Sequence, residues 1–291
     1  MLVTIFCEAD DFCKFLSEKT GLNMLGKDKE FGPKRGLIVS EIMTISIFYS
    51  MSNYKNFKSY YNNFILKYER SCFPNAVSYG RFIELRQEIL VPMLLFIKTR
   101  GLGNCDGVSI IDSTTLEVCH VRRASSHKLF KNIAQKGKSS TGWFYGFKLH
   151  LVINSHGEIT NFHITPGNIA DNNHDLLESV TQNVFGKLVG DKGYIGAFKQ
   201  LYDKGIQLIH GIRKNMKNVL MTAYDKFLLK KRGVIESVIG LLKEMFGLES
   251  SKNRSKIAYF VQICSAIAAY NFKEFKPQVF KPKVVKNLCI N

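Results

Sequence analysis

The sequence is short of acid. It has 24 Asp and Glu against 41 Lys and Arg, a formal net charge of +17. A deficit on that scale argues for a polyanionic partner, because phosphates release counterions when cationic side chains neutralise them. Lys outnumbers Arg, and Asn, Ile, Phe and Tyr are plentiful. An AT-rich coding sequence produces the same bias, so charge alone does not establish a nucleic-acid partner. Cysteine pairing motifs are also missing. Cys7, Cys13, Cys72, Cys105, Cys119, Cys264 and Cys289 are odd in number and include no Cys-x-x-Cys pair. That argues against a disulfide framework and a zinc finger, and it agrees with a reducing cytoplasm. No charged start followed by an apolar stretch and a small-residue cleavage site is present. The longest apolar runs, near residues 37–51 and 89–97, are short and interrupted by Glu41 or Pro92. Neither reaches a bilayer span, so no membrane partner is expected. There is no internal repeat and no long low-complexity tract.

What remains is a globular chain. Hydrophobic residues make up 45% of 291 positions, enough for a packed core in one large domain or two modest ones. The first hundred residues read as helical. Phe12, Phe15 and Leu16 share a face, as do Ile38, Ile42, Ile45 and Tyr49. A helix starting at Ser78 puts Phe82, Leu85 and Ile89 on one side, and Pro92 breaks or kinks the chain beyond it. That helix is read either as the second helix of a helix-turn-helix, with Arg81 and Arg86 as its polar contacts, or as part of an ordinary bundle. Gly101-Leu102-Gly103-Asn104 marks a boundary.

Beyond Cys105 the texture alternates. Strands are expected at 108–112, 144–153, 159–165, 188–191 and 207–212. Helices are expected at 172–185, 197–204, 224–246 and 256–271. Three early strands followed by αβαβα is the order of a ribonuclease-H-like sheet. The expected fold class is therefore α/β: a ribonuclease-H-like mixed sheet with flanking helices over 104–275. It is preceded by an all-helical N-terminal domain, 1–103, a candidate for binding DNA ends. A basic tail, 276–291, completes the chain. Trp143 starts a strand and is read as core in preference to a base-stacking platform. His150 and His163 are read as structural, and His174 as lying near a helix start.

Three acids occupy three separate settings. Asp112 ends the run Val108-Ser109-Ile110-Ile111, and Asp191 ends Lys187-Leu188-Val189-Gly190. Glu236 lies inside a helical stretch. Each alone has an ordinary explanation: a turn-forming Asp, or a solvated helical Glu. Two strand ends and a helix, however, can meet at one point in an open α/β sheet. Clustered carboxylates repel one another unless cations lie between them, so the trio reads as a two-magnesium phosphodiester site. Arg232 and Lys243 fall on the same helical face as Glu236. Apolar Ile235, Val238, Ile239, Leu241 and Leu242 surround that polar stripe, which suggests an inward-facing site.

Several segments together resemble a bacterial insertion-sequence transposase of the Asp-Asp-Glu superfamily, in the group named after insertion sequence nine-eight-two. They are Ile110-Ile111-Asp112-Ser113-Thr114, Gly142-Trp143-Phe144-Tyr145-Gly146-Phe147-Lys148-Leu149-His150, Thr165-Pro166-Gly167-Asn168, Gly190-Asp191-Lys192-Gly193-Tyr194 and Arg232-Gly233-Val234-Ile235-Glu236. The likeness runs from about Gly107 to Phe272. Related transposases carry a Tyr, Arg, Glu, Lys signature; Arg232, Glu236 and Lys243 match its offsets, and Leu229 stands at the Tyr position. The resemblance implies that Asp112 bridges two Mg2+ ions, with Mn2+ as a substitute, and that Asp191 and Glu236 each hold one. It implies cutting of terminal inverted repeats and joining of 3′-hydroxyl ends to target DNA. Arg232 and Lys243 would contact phosphates near the cut, and a homodimer would hold both double-stranded element ends. Further DNA contacts are expected from Arg122, Arg123, His127, Lys128, Lys131, Lys136 and Lys138, from Arg213, Lys214 and Lys217, and from Lys252, Arg254 and Lys256. The alternatives are a ribonuclease-H-like nuclease without strand transfer, a catalytically silent DNA-binding repressor, and a metabolic hydrolase, which the charge disfavours.

Overall fold

A computed structural model describes residues 1–21, 36–140, 142–212, 216, 220–249 and 253–280. Helix α1 (Leu2–Thr20) packs against α2 (Val39–Met51) through Ile5, Ala9, Phe12 and Cys13. α2 is buried almost all round and so lacks a polar face. α3 (Phe57–Tyr60) runs on as a π-turn, Tyr61–Ile65. α4 (Tyr79–Glu88) starts at Ser78 as expected, with the Ser78 hydroxyl accepting from the Arg81 amide. α5 (Leu90–Phe96) begins immediately after it; Pro92 falls in its first turn, where a missing amide hydrogen costs least.

The sheet has six strands: β1 (Val108–Cys119), β2 (Gln135–Ser139), β3 (Gly142–Asn154), β4 (Ile159–Pro166), β5 (Gly186–Val189) and β6 (Ile206–Ile209). β3 lies antiparallel to β1, and its outer edge carries β2 at one end and β4 at the other. On the opposite side of β1, β5 and β6 continue the sheet in parallel. This is the mixed α/β sheet with flanking helices that the order of elements predicts. α6 (His174–Val180) and α7 (Phe198–Asp203) cover one face with Leu176, Leu177, Val180 and Leu201. α8 (Ala223–Lys231), α9 (Gly233–Glu244) and α10 (Lys256–Asn271) lie toward the other, in one continuous core with the N-terminal helices. α10 occupies the expected range and is capped by the Ser255 hydroxyl on the Ala258 amide.

The structure departs from expectation in several places. β1 does not stop at Asp112; it runs seven residues further because β3 pairs with it throughout. β2 is absent from the sequence reading, since its segment Gln-Lys-Gly-Lys-Ser shows no apolar alternation. The helix expected over 224–246 is two helices joined at Arg232, whose amide bonds the Leu229 carbonyl three residues back just before Gly233. Trp143 is not core: it is 64% exposed at the start of β3, across from Lys138 on the edge strand. Arg86 is the reverse, a proposed DNA contact that is only 2% exposed.

At Gly146, a Cβ would run into the Leu116 carbonyl oxygen of the neighbouring strand and lie 3.1 Å from the Glu117 Cα. The site adjoins the irregularity between Glu117 and Cys119 in the β1–β3 ladder. Gly146→Ala should therefore cost roughly 1–3 kcal/mol in urea unfolding. A neutral substitution would mean that the two strands are not this close.

Candidate active site

β1 and β5 run parallel with Ser109 opposite Leu188 and Ile110 opposite Val189. Two residues further on, that register sets Asp112 beside Asp191. β5 ends at Val189 while β1 continues, so the pair lies where the sheet opens beyond the end of the shorter strand. Alternation decides the facing. Ile110 belongs to the core on the α9 side and Ile111 to the core on the α6 and α7 side. Asp112 therefore shares a face with Ile110 and looks toward α9.

Arg232, at the junction of α8 and α9, meets it there. Its Nη1 lies 3.3 Å from Asp112 Oδ2 and its Nη2 lies 2.7 Å from Glu236 Oε1. One guanidinium thus links the strand acid to the helical acid. The other Asp112 oxygen accepts the Ser113 amide at 2.8 Å. Burial nevertheless dominates and raises the Asp112 carboxyl to about 6. The Ser113 amide and Arg232 pull it down, while Asp191 and Glu236 push it further up. All three acids therefore share one electrostatic neighbourhood. Asp191 caps the 3-10 turn Lys192–Ala197 by accepting the Gly193 amide at 2.7 Å.

The opposite face of β1 carries a second polar group. Ser113, Thr115, His150 and Lys148 align across the β1–β3 register. Asp171, in the loop before α6, accepts Ser113 Oγ at 3.0 Å and Lys148 Nζ at 3.1 Å, and lies 3.8 Å from His150 Nδ1. Burial holds the His150 imidazole down at about 4, and its Nε2 is 2.9 Å from Thr165 Oγ1. His150 Nδ1 and the Tyr194 hydroxyl are buried without hydrogen-bond partners. Burial first, then Asp171, Asp112 and Asp191, raises the Tyr194 phenol well above its ordinary value. Asp171 is not among the site residues expected from the sequence. Its available signal was an acid shortly after the Pro-Gly turn that ends β4.

Other expected residues fall elsewhere. Lys243 is two turns from Glu236 and pairs with Glu249 at 2.5 Å. Glu236 itself is 59% exposed, whereas Arg232 and Lys243 are half-buried, so the polar stripe is only partly turned inward. Arg122, Arg123, Lys128, Lys131, Lys136 and Lys138 are all exposed on the β1–β2 connection and β2. His163 is strand-bound as expected, with burial lowering its imidazole. His174 opens α6 and faces solvent. Arg213, Lys214, Lys217 and Lys252, and most of the basic tail, lie outside the described residues.

The donor chemistry of Asp112, Asp191 and Glu236 is oxygen-only, which suits a hard divalent cation. Among the described residues, however, no three His, Cys, Asp or Glu side chains stand close enough to hold a metal ion, and Arg232 occupies the space between two of the acids.

A mixed β4-β3-β1-β5-β6 sheet, with an acid on its central strand and another beside it, defines an α/β domain of the ribonuclease-H-like kind. Residues 102–256, just over half of the chain, match the transposase DDE domain family, and the chain belongs to that family. No curated protein matches it. The protein is thus a transposase-family, DNA-processing protein. Among the described residues, no helix is long and apolar enough to cross a membrane.

A folded-state carboxyl at about 6, above its ordinary 3.8, favours the protonated form. The cost of ionising Asp112 is absent below about pH 3.8 and complete above about pH 6; it amounts to ~3 kcal/mol. In EDTA, Asp112→Asn should raise the melting temperature at pH 7, with a margin that shrinks as the pH falls toward 4. A margin independent of pH would contradict the desolvation of this carboxylate.

Proposed function

We propose that the protein is a DDE transposase of the insertion sequence nine-eight-two type. In this reading it cuts the terminal inverted repeats of its element and joins the 3′-hydroxyl ends to target DNA. The observation that carries the reading is the meeting of Asp112 and Glu236 on Arg232, with Asp191 beside Asp112 in the β1–β5 register, within a transposase DDE domain. A buried carboxylate pushed up to about 6 by its surroundings favours a neighbouring cation. Arg232 is such a cation.

Asp112, Asp191 and Glu236 are the residues that would hold divalent ions, and Arg232 pairs with two of them. Bound magnesium would supply Lewis-acid polarisation of the phosphodiester and an oxygen nucleophile at neutral pH. The chain's own contribution is orientation. The Ser113 amide fixes one Asp112 oxygen, the Gly193 amide fixes Asp191, and the α8–α9 junction presents Arg232 and Glu236 together. Arg232 has a planar fork suited to a phosphate near the cut. The exposed cations Arg122, Arg123, Lys128 and Lys131 would track the duplex, and two copies would hold the paired ends.

Asp112→Ala, Asp191→Ala and Glu236→Ala should each abolish cutting of a duplex bearing the element end, with DNA affinity retained. A variant cutting at the wild-type rate would remove that acid from the proposed trio. Joined donor–target product on a gel distinguishes the transposase from a nuclease that only cuts. Binding should weaken steeply with salt, since a chain of this charge acts through phosphate contacts; a flat salt response would contradict an electrostatic origin of binding.

A further inference from the structure

Arg86 is an arginine in the wrong place for a surface contact. It is 2% exposed, yet none of the ion pairs among the described residues includes it. Its Nε donates to Ser46 Oγ at 3.3 Å and its Nη2 to Gln262 Oε1 at 2.8 Å. The guanidinium lies 4.4 Å from the centre of the Phe57 ring. Burial lowers it to about 10, and the titratable neighbours it feels are the phenols of Tyr49, Tyr79 and Tyr60, which are uncharged at neutral pH, not carboxylates. A buried cation without a counter-ion is costly unless something supplies one.

Arg86 lines a groove of about 610 Å³ among α3, α4 and the start of α10. Lys58 and Arg254 are exposed on its rim, and no Asp or Glu lines it. Asn56, Gln87 and Ser255 add polar groups, and Ser255 and Ala258 bring the first turn of α10, the positive end of that helix dipole, to the same space. Tyr49 and Gln262 also line a second groove, of about 520 Å³, that contains Lys55 and Lys243 together with Glu244 and Glu249, the last paired with Lys243. The two grooves therefore adjoin, and the second reaches the C-terminal end of α9, whose first turn bears Glu236.

We propose that the groove over Arg86 is a phosphate-binding site that takes the backbone of duplex DNA leaving the acid site along α9. The proposal rests on the transposase reading for its choice of DNA as the source of phosphate. The chemistry is that of an anion: three cations, amide and hydroxyl donors, and no competing acid surround the space. A run of phosphodiesters satisfies the rim and the base together, whereas one small monoanion leaves most of that charge unpaired.

The test is anisotropy titration of the full chain with a short duplex of arbitrary sequence, in EDTA, across a salt series. Lys58→Ala/Arg254→Ala removes the rim charges without touching the core. It should bind roughly tenfold more weakly, and its plot of log affinity against log salt should be shallower by about two. Unchanged affinity and slope would overturn the groove while leaving the transposase reading intact, because end cutting and joining by the wild type judge that reading separately. A wild type that neither binds nor cuts duplex would instead overturn the reading and the DNA assignment together. Tripolyphosphate is the second probe. Stabilisation of the wild type but not the double variant, with equal DNA affinity for both, would assign the groove to free phosphate and overturn DNA as its ligand. Arg86→Met, if folded, should also lose affinity; where it does not fold, the rim variant decides.

Discussion

The site depends on one ionic bridge, from Asp112 through Arg232 to Glu236. Each partner comes from a different part of the fold: a central strand, a junction between helices and the first turn of α9. Asp112 sits where burial resists its charge, and the guanidinium is its only direct cationic contact among the described ion pairs. The same bridge keeps Glu236 turned toward the strand although most of its side chain faces solvent. Clustered acids need positive charge between them. Between Asp112 and Glu236 an arginine meets that need.

The sheet makes this arrangement possible by ending unevenly. β1 is three times the length of β5, so Asp112 lies past the end of their parallel pairing while β1 remains anchored by β3. Asp171 braces the opposite face through Ser113 and Lys148, one residue away from the acid it supports. α10 then ties this sheet to the N-terminal helices through a buried polar seam. Gln262 receives Arg86 and donates to Ser50, while Ser255 donates to Gln87. Residues on both sides of Gly101-Leu102-Gly103-Asn104 share one packed core.

Much of the fold was legible because its signals are local. Strand runs such as 144–153 and 159–165 carry apolar residues on both faces, and α10 has a serine cap and an uninterrupted apolar stretch. β2 was illegible because an edge strand of Gln, Lys, Gly and Ser is held by pairing with β3, not by its own pattern. The break at Arg232 was hidden because both sides of it are good helix. Trp143 is exposed where its residue type suggests core, and Arg86 is buried where its type suggests surface, since residue type predicts burial only on average. An aromatic on an edge hairpin stays wet, and an arginine facing Phe57, Ser46 and Gln262 goes inside.

The chain's own pattern settles its class, most of its strands and helices, its basic character and the three acids worth watching. Period, capping and charge are properties of neighbours in the chain, and they survive without a fold. The order of the strands in space, the facing of Asp112, its desolvation, the Arg232 bridge and the groove above Arg86 belong to the packed molecule. Each depends on residues far apart in the chain, and on how much water their contact excludes.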